Sequence, residues 1–375
     1  MKVVVIGSGI VGASAAYHLA KKQVEVVLVD KQHEGNATAA GAGIVCPWIS
    51  RVEDENHYEL AKRGAIYYPD LIAQLEADGE VNVGYKKVGA LSVSSDKKLL
   101  DDVEERVRQK RKSSPEAGDI ERLTGEEAQA LFPPLNPELE AVYITGAARV
   151  DGRLMRASLK RAAEKHGAKC INGEATLTQQ KDRVTGIEVN GEVIKADKLV
   201  VAAGAWVNSL LTPIGVQVNI EPQRGQIAHM TLSHTDTSSW PVVLPHTSHY
   251  MLAFDDSRVV AGATRETGAG FDYRLTPGGI SEVLDHALDV APGLEDSTLK
   301  EVRIGFRPMG PDRLPLVGSI TNQENIIMAN GLGASGLTMG PYVGKIAASL
   351  ANDESVSFDL SPYDPMRAIT IQEKV

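Results

Sequence analysis

The residues best placed to do chemistry stand at the start of the chain. Gly7-Ser8-Gly9-Ile10-Val11-Gly12 follows the β-branched run Val3-Val4-Val5-Ile6, and Asp30 closes a second apolar run 18 positions beyond Gly12. Between them an alanine-rich stretch ends in Lys21 and Lys22, cations that suit the C-terminal end of a helix. The three glycines have different uses. Gly7 permits the tight turn, Gly9 lets backbone approach a pyrophosphate, and Gly12 lets the helix pack on the sheet. The first turn of the helix then offers Ile10 and Val11 N–H groups and a positive dipole. Strand, turn, helix, strand and acid in this register form a dinucleotide-binding unit; a glycine-rich turn alone would need none of the rest. Asp30, followed by Lys31, would accept hydrogen bonds from ribose. An acid here disfavours a 2′-phosphate but does not separate a nicotinamide from a flavin dinucleotide.

The elements that would position a ligand follow in order. Ala37-Thr38-Ala39-Ala40-Gly41-Ala42-Gly43 is nearly free of side chains, which suits backbone lying against a flat ligand and equally a small-residue helix packed on the sheet. Residues 54–77 read as a helix, 83–93 as a pair of strands, and 96–111 as a charged helix. Its basic end, Arg106, Arg108, Lys110, Arg111 and Lys112, reads as a solvated face. A helix is expected over 152–166, a strand over 168–171, and a hairpin turning at Asn190-Gly191. The buried strand before Ala202-Ala203-Gly204-Ala205-Trp206 re-enters the nucleotide-binding sheet in mid-chain. Strand-like runs at 220–232, 242–244, 249–254 and 258–263 predict a second, antiparallel sheet. Asn330-Gly331-Leu332-Gly333-Ala334-Ser335-Gly336 lies between a strand over 326–329 and a helix over 337–350 that starts with Leu337 and Thr338.

Composition bounds the partners. The 375 residues exceed one domain at about 150 residues each, and 49 acidic against 39 basic residues give a net charge of −10. With no basic block, nucleic acid is excluded. The two cysteines, Cys46 and Cys170, form no ligand cluster, so reduced thiols in the cytoplasm are expected and no metal site. His246 and His249 have no third ligand nearby. No apolar run is long enough to span a membrane.

Five stretches in this order, 7–30, 37–43, 199–206, 305–318 and 331–344, resemble the D-amino-acid oxidase-like (DAO) family of FAD enzymes, which includes D-amino-acid dehydrogenases, glycine oxidases and sarcosine oxidases. The most specific piece is Gly305-Phe306-Arg307-Pro308 with Asp312, Pro315 and Gly318. Ala40-Gly41-Ala42-Gly43-Ile44 running into Pro47-Trp48 is similar to the D-amino-acid dehydrogenase branch. The resemblance implies an α/β fold: a Rossmann-like FAD domain with a parallel sheet (1–80, 146–212 and 305–375), interleaved with an α+β substrate domain on a largely antiparallel sheet (81–145 and 213–304). It implies FAD held by the glycine-rich stretches and by Arg307, noncovalently, since 309–318 contains no cysteine.

The implied activity is oxidative deamination of a small amino acid, a D-amino acid favoured, by hydride transfer from the α-carbon to flavin. Glycine, sarcosine or a proline-type secondary amine is the alternative, and a non-catalytic flavin-binding subunit a further one. A nicotinamide enzyme using only the first thirty residues leaves 199–206 and 331–336 idle. Arg307 matches the family's carboxylate-binding arginine, a planar fork that lysine cannot replace. Tyr250 opens a strand where relatives place pocket aromatics, or fills the core; His249 stands beside it as a further catalytic candidate. Trp48 walls the pocket or packs between domains. Leu332 stands where relatives often carry histidine, and no arginine follows before Pro341, which speaks against a second arginine clamping the substrate as in a glycine-specific oxidase. Oxygen, a quinone or a partner protein would take the electrons, with a quinone drawing the chain to a membrane surface, and a homo-oligomer is compatible with this composition.

Overall fold

The computed structural model describes residues 1–371. Val3 and Val5 pack to one side of the first strand and Val4 and Ile6 to the other, the two-sided burial expected of a central parallel strand. That strand, Lys2–Ile6, lies inside a six-stranded sheet. It is flanked by Glu25–Asp30 and then Lys169–Asn172 on one side, and by Lys198–Val201, Gln323–Asn330 and Leu316–Ile320 on the other. Its pairs are parallel except the last, antiparallel one. Helices Ile10–Lys21, Gly336–Ala351 and Gly152–Lys165 cover one face. A three-stranded antiparallel layer, Ala175–Gln180, Arg183–Val189 and Glu192–Lys195, covers the other through Val184, Ile187 and Val189.

The second sheet has eight strands in the order Thr298–Met309, Glu221–Thr231, Arg258–Gly262, Tyr250–Phe254, Val242–Pro245, Ala90–Ser94, Glu140–Ile144 and Ile120–Leu123. Every pair is antiparallel except Val242–Pro245 with Ala90–Ser94. Pro308 is tolerated because Thr298–Met309 is an edge strand, where a missing N–H breaks no inner ladder. The boundary expected at 304/305 falls inside this continuous strand.

Two sequence expectations are corrected. Residues 83–93 do form two strands, but Tyr85–Lys87 pairs with Ala148–Val150 while Ala90–Ser94 joins the large sheet; alternation reveals a strand and not its partner. The basic end of the charged helix, observed as Lys97–Ser113, is not wholly solvated. Lys110 Nζ donates to the Ser50 carbonyl at 2.8 Å and lies over the Tyr58 ring, and burial pushes its amine down to about 8. Arg106 also turns inward, with Nε and Nη2 buried.

Candidate active site

The turn after the first strand is shaped by contact rather than by chance. Gly7 adopts φ +96°, and a β-carbon on Gly12 would stand 1.8 Å from the Gly7 carbonyl oxygen, so the helix approaches the turn as only glycine allows. Asp30 Oδ2 accepts the Ser8 N–H at 2.5 Å and Oδ1 accepts that of Gln32 at 2.5 Å. Thr38 Oγ1 accepts the Ile10 N–H at 2.9 Å, capping one of the free donors at the helix start. Arg156, not singled out from sequence, donates to the Ser8 carbonyl and hydroxyl at 2.5 and 2.8 Å.

A channel with an empty volume of about 1240 Å³, its open mouth included, runs past this turn. Gly7, Gly9, Ile10, Val11, Asp30, Lys31 and Thr38 line it, and so do Ala203, Gly204, Trp206, Leu332, Gly333, Gly336 and Leu337. Gly173, Glu174, Ala175 and Thr176 close it beside Asp30; they follow the neighbouring parallel strand, a signal visible only once strand order is known. Trp206 is fixed by stacking on His33 at 4.4 Å and on Phe271 at 5.0 Å.

Beyond the channel lies a second chamber, about 750 Å³ of empty volume, sharing Ala37, Gly333 and Leu337 with it. Ala40, Gly41, Gly43, Ile44 and Ala334 form one wall, and Tyr250, Arg307, Ser248 and Arg265 the other. Arg307 Nη1 donates to Gln223 Oε1 at 3.2 Å and to the Thr264 carbonyl at 3.0 Å. Tyr250 lies against the same guanidinium. Burial raises its phenol above the usual range, and the charges of Arg307 and Arg265 act against that shift. Both walls depend on missing side chains: a β-carbon on Gly225 would meet Arg307 at 2.7 Å, and one on Gly262 the Tyr250 hydroxyl at 2.8 Å.

The stretch after Gly331 carries no second arginine, yet the chamber has one. Arg265 arrives from the irregular segment after Arg258–Gly262, which no periodicity marks. At the far end, the start of Gly336–Ala351 is pinned from three sides. His57 Nε2 and Ser335 Oγ are 3.1 Å apart, the Tyr68 hydroxyl donates to the Leu337 carbonyl at 2.5 Å, and Thr338 Oγ1 donates to the Ile44 carbonyl at 2.9 Å. Burial lowers the His57 imidazole, opposed by Asp54.

Other expected site residues lie outside both linings. Gly12 packs on Gly7, and the Ala39 carbonyl accepts from Arg153 at 3.1 Å. Gly331 turns at φ +75° against Leu316; Ser335 and Thr338 act through the contacts just given. Trp48 is 3 % exposed within the core. His249 is buried behind Tyr250, stacked at 3.9 Å on His286, with Nε2 3.3 Å from Glu282. Cys46 and Cys170 line neither cavity, and burial pushes both thiols up to about 12.

The family model for the DAO FAD-dependent oxidoreductases matches residues 2–350. The chain belongs to that family. The oxidoreductase YurR of Bacillus subtilis (strain 168) is 50% identical over 367 residues, covering 98% of this chain and 99% of YurR. The crystal structure of iminodiacetate oxidase (IdaA) from Chelativorans sp. BNC1 superposes with a TM-score of 0.94 at 48% identity, covering 97% of this chain and 98% of that one. Glycine oxidase of Pseudomonas putida is 28% identical over 370 residues, 97% of this chain and 98% of the enzyme. The protein is thus an FAD-dependent amine oxidoreductase with the mixed α/β fold of this family. Its channel fits FAD. Asp30, whose two oxygens accept the Ser8 and Gln32 N–H groups, would meet the ribose, the turn at Gly7 would let backbone approach the pyrophosphate, and Gly336 at the helix start lines the same channel. Among the described residues no helix is long and apolar enough to cross a membrane.

Proposed function

We propose that this enzyme oxidises a small amine carrying a carboxylate on the carbon next to nitrogen, with glycine-like carboxymethyl amines preferred. The observation that carries the reading is Arg307. Its guanidinium faces a chamber that shares Ala37, Gly333 and Leu337 with the dinucleotide channel, and its hydrogen-bond partners on the protein side are neutral. A carboxylate gripped there by a two-pronged donor leaves its α-carbon turned toward the channel end. Tyr250 adds a donor beside the fork.

FAD supplies the two-electron acceptor when bound. The residues hold and orient the rest. The α-carbon's C–H bond breaks with its electron pair leaving as hydride, the amine lone pair forms a C=N bond, and the N–H proton passes to water. Water then adds to the imine, releasing an amine or ammonia and a 2-oxo acid. The backbone at the start of Gly336–Ala351 presents the positive end of a 16-residue helix to the channel, which would favour negative charge on a reduced flavin held there.

Glycine and iminodiacetate, the compounds named for two similar enzymes, share the carboxymethyl amine unit. This supports an unbranched α-carbon over the D-amino acid that the 40–48 stretch suggests. Anaerobic titration of the yellow protein with glycine, sarcosine, D-alanine and proline tests it. Bleaching by a carboxymethyl amine is expected. Bleaching by D-alanine alone returns the assignment to D-amino acids, and a flavin reduced by dithionite but by no amine overturns the catalytic reading.

A further inference from the structure

The chamber around Arg307 has two charged side chains in its lining, Arg307 and Arg265, and no carboxylate. Among the described residues Arg265 makes no hydrogen bond or ion pair, although acids stand close by in sequence and space. Each is engaged elsewhere. Glu266 Oε2 accepts from Arg224 Nε at 2.9 Å, and its Oε1 accepts from Gln226 and Thr264 at 2.8 and 2.7 Å. Asp272 pairs with Arg224 and Arg274, both at 2.9 Å, and Glu282 with His249 at 3.3 Å. Arg307 is likewise held by neutral groups. Two cations therefore share one concave space with no carboxylate in its lining; the charge of Glu266 reaches Arg307 but is committed to Arg224, so an anion entering the chamber meets two guanidinium groups that are not ion-paired. Arg307 lies half-buried, whereas Arg265 is exposed at the mouth.

We infer that the chamber selects an amine bearing two carboxylates, the one beside the reacting carbon on Arg307 and the other on Arg265 at the mouth. The inference rests on the carboxylate role proposed above for Arg307. It adds a specificity-determining residue and a substrate class: short amino dicarboxylates, whose second carboxylate extends either across the nitrogen or along the carbon chain. Because Arg265 meets solvent, its pair is partly screened, and the expected gain is about tenfold in affinity.

Matched unreactive ligands test this on the FAD-loaded enzyme. Oxydiacetate and methoxyacetate differ in the second carboxylate, and each is titrated while the flavin absorbance spectrum is followed. Oxydiacetate is expected to bind about tenfold tighter, with the ratio falling toward 1 in Arg265→Gln and shrinking as salt rises. Equal affinities in the wild type, or a ratio unchanged in Arg265→Gln, overturn the inference while leaving the Arg307 reading intact. Failure of both ligands to bind overturns the two together. Faster flavin reduction by iminodiacetate than by sarcosine places the second carboxylate across the nitrogen; faster reduction by D-aspartate than by D-alanine places it along the carbon chain. No gain in either pair also overturns the inference.

Discussion

Gly225 and Arg307 occupy adjoining strands, and both terminal nitrogens of the arginine stand 2.7 Å from where a β-carbon on the glycine would be. The guanidinium crosses its neighbour's backbone only because that residue has no side chain. Gly225→Ala is expected to leave the fold standing, since the displaced group is the far end of a flexible side chain. The fork is moved all the same. An increase of about tenfold in substrate KM, with flavin content near that of the wild type, is the expected result. Unchanged KM would show that Arg307 does not set substrate affinity.

Arg307→Lys probes the same fork chemically. A lysine keeps the charge but not the paired donors, so substrate affinity is expected to drop about 10- to 100-fold while FAD stays bound. Stopped-flow reduction at increasing substrate separates this from slower chemistry: the loss should appear in the half-saturating concentration first.

How legible the site was in the sequence depended on locality. The nucleotide turn was readable because Gly7, Gly9, Gly12 and Asp30 carry their strand, helix and strand within thirty residues. Arg307 was readable through its motif. Arg265 was not, because it enters the chamber only when Arg258–Gly262 pairs with Glu221–Thr231 and so brings its C-terminal flank beside Arg307. Position 265 itself sits in irregular chain with no period to detect. Gly173 and Glu174 were hidden for a related reason: their place beside Asp30 follows from the parallel pairing of Asp30 with Asn172, 142 residues away in sequence. Tyr250 and His249 are consecutive and were indistinguishable by spacing, yet strand alternation sends one side chain into the chamber and the other behind it, onto His286.

Asp30 gives a separate test of the cofactor site. One oxygen holds the Ser8 N–H and the other that of Gln32, so the carboxylate both shapes the turn and faces the channel. Asp30→Ala should lower FAD affinity by about 10- to 100-fold, read as a reduced ratio of flavin to protein absorbance and restored by excess FAD. Full flavin occupancy after dialysis would argue against a ribose contact.

His18 links burial to acid stability. Its Nε2 lies 2.8 Å from the Tyr67 hydroxyl, and burial, reinforced by Lys345, Lys22 and Lys21, pushes the imidazole down to about 3 from an ordinary 6.5. The folded state therefore keeps the ring neutral where the unfolded chain binds a proton. Proton binding then favours unfolding as pH falls through 6.5 toward 3, so this histidine's contribution to stability is present above 6.5 and is lost across that window. The slope is about 1.4 kcal/mol per pH unit once the unfolded group titrates. His229, also lowered to about 3, adds in the same direction. In denaturant melts the stability gap between wild type and His18→Gln should hence narrow steadily from pH 6 to pH 4, because the variant has no proton to bind at this position. A gap that stays constant would mean His18 titrates alike in both states and that its burial does not control acid unfolding.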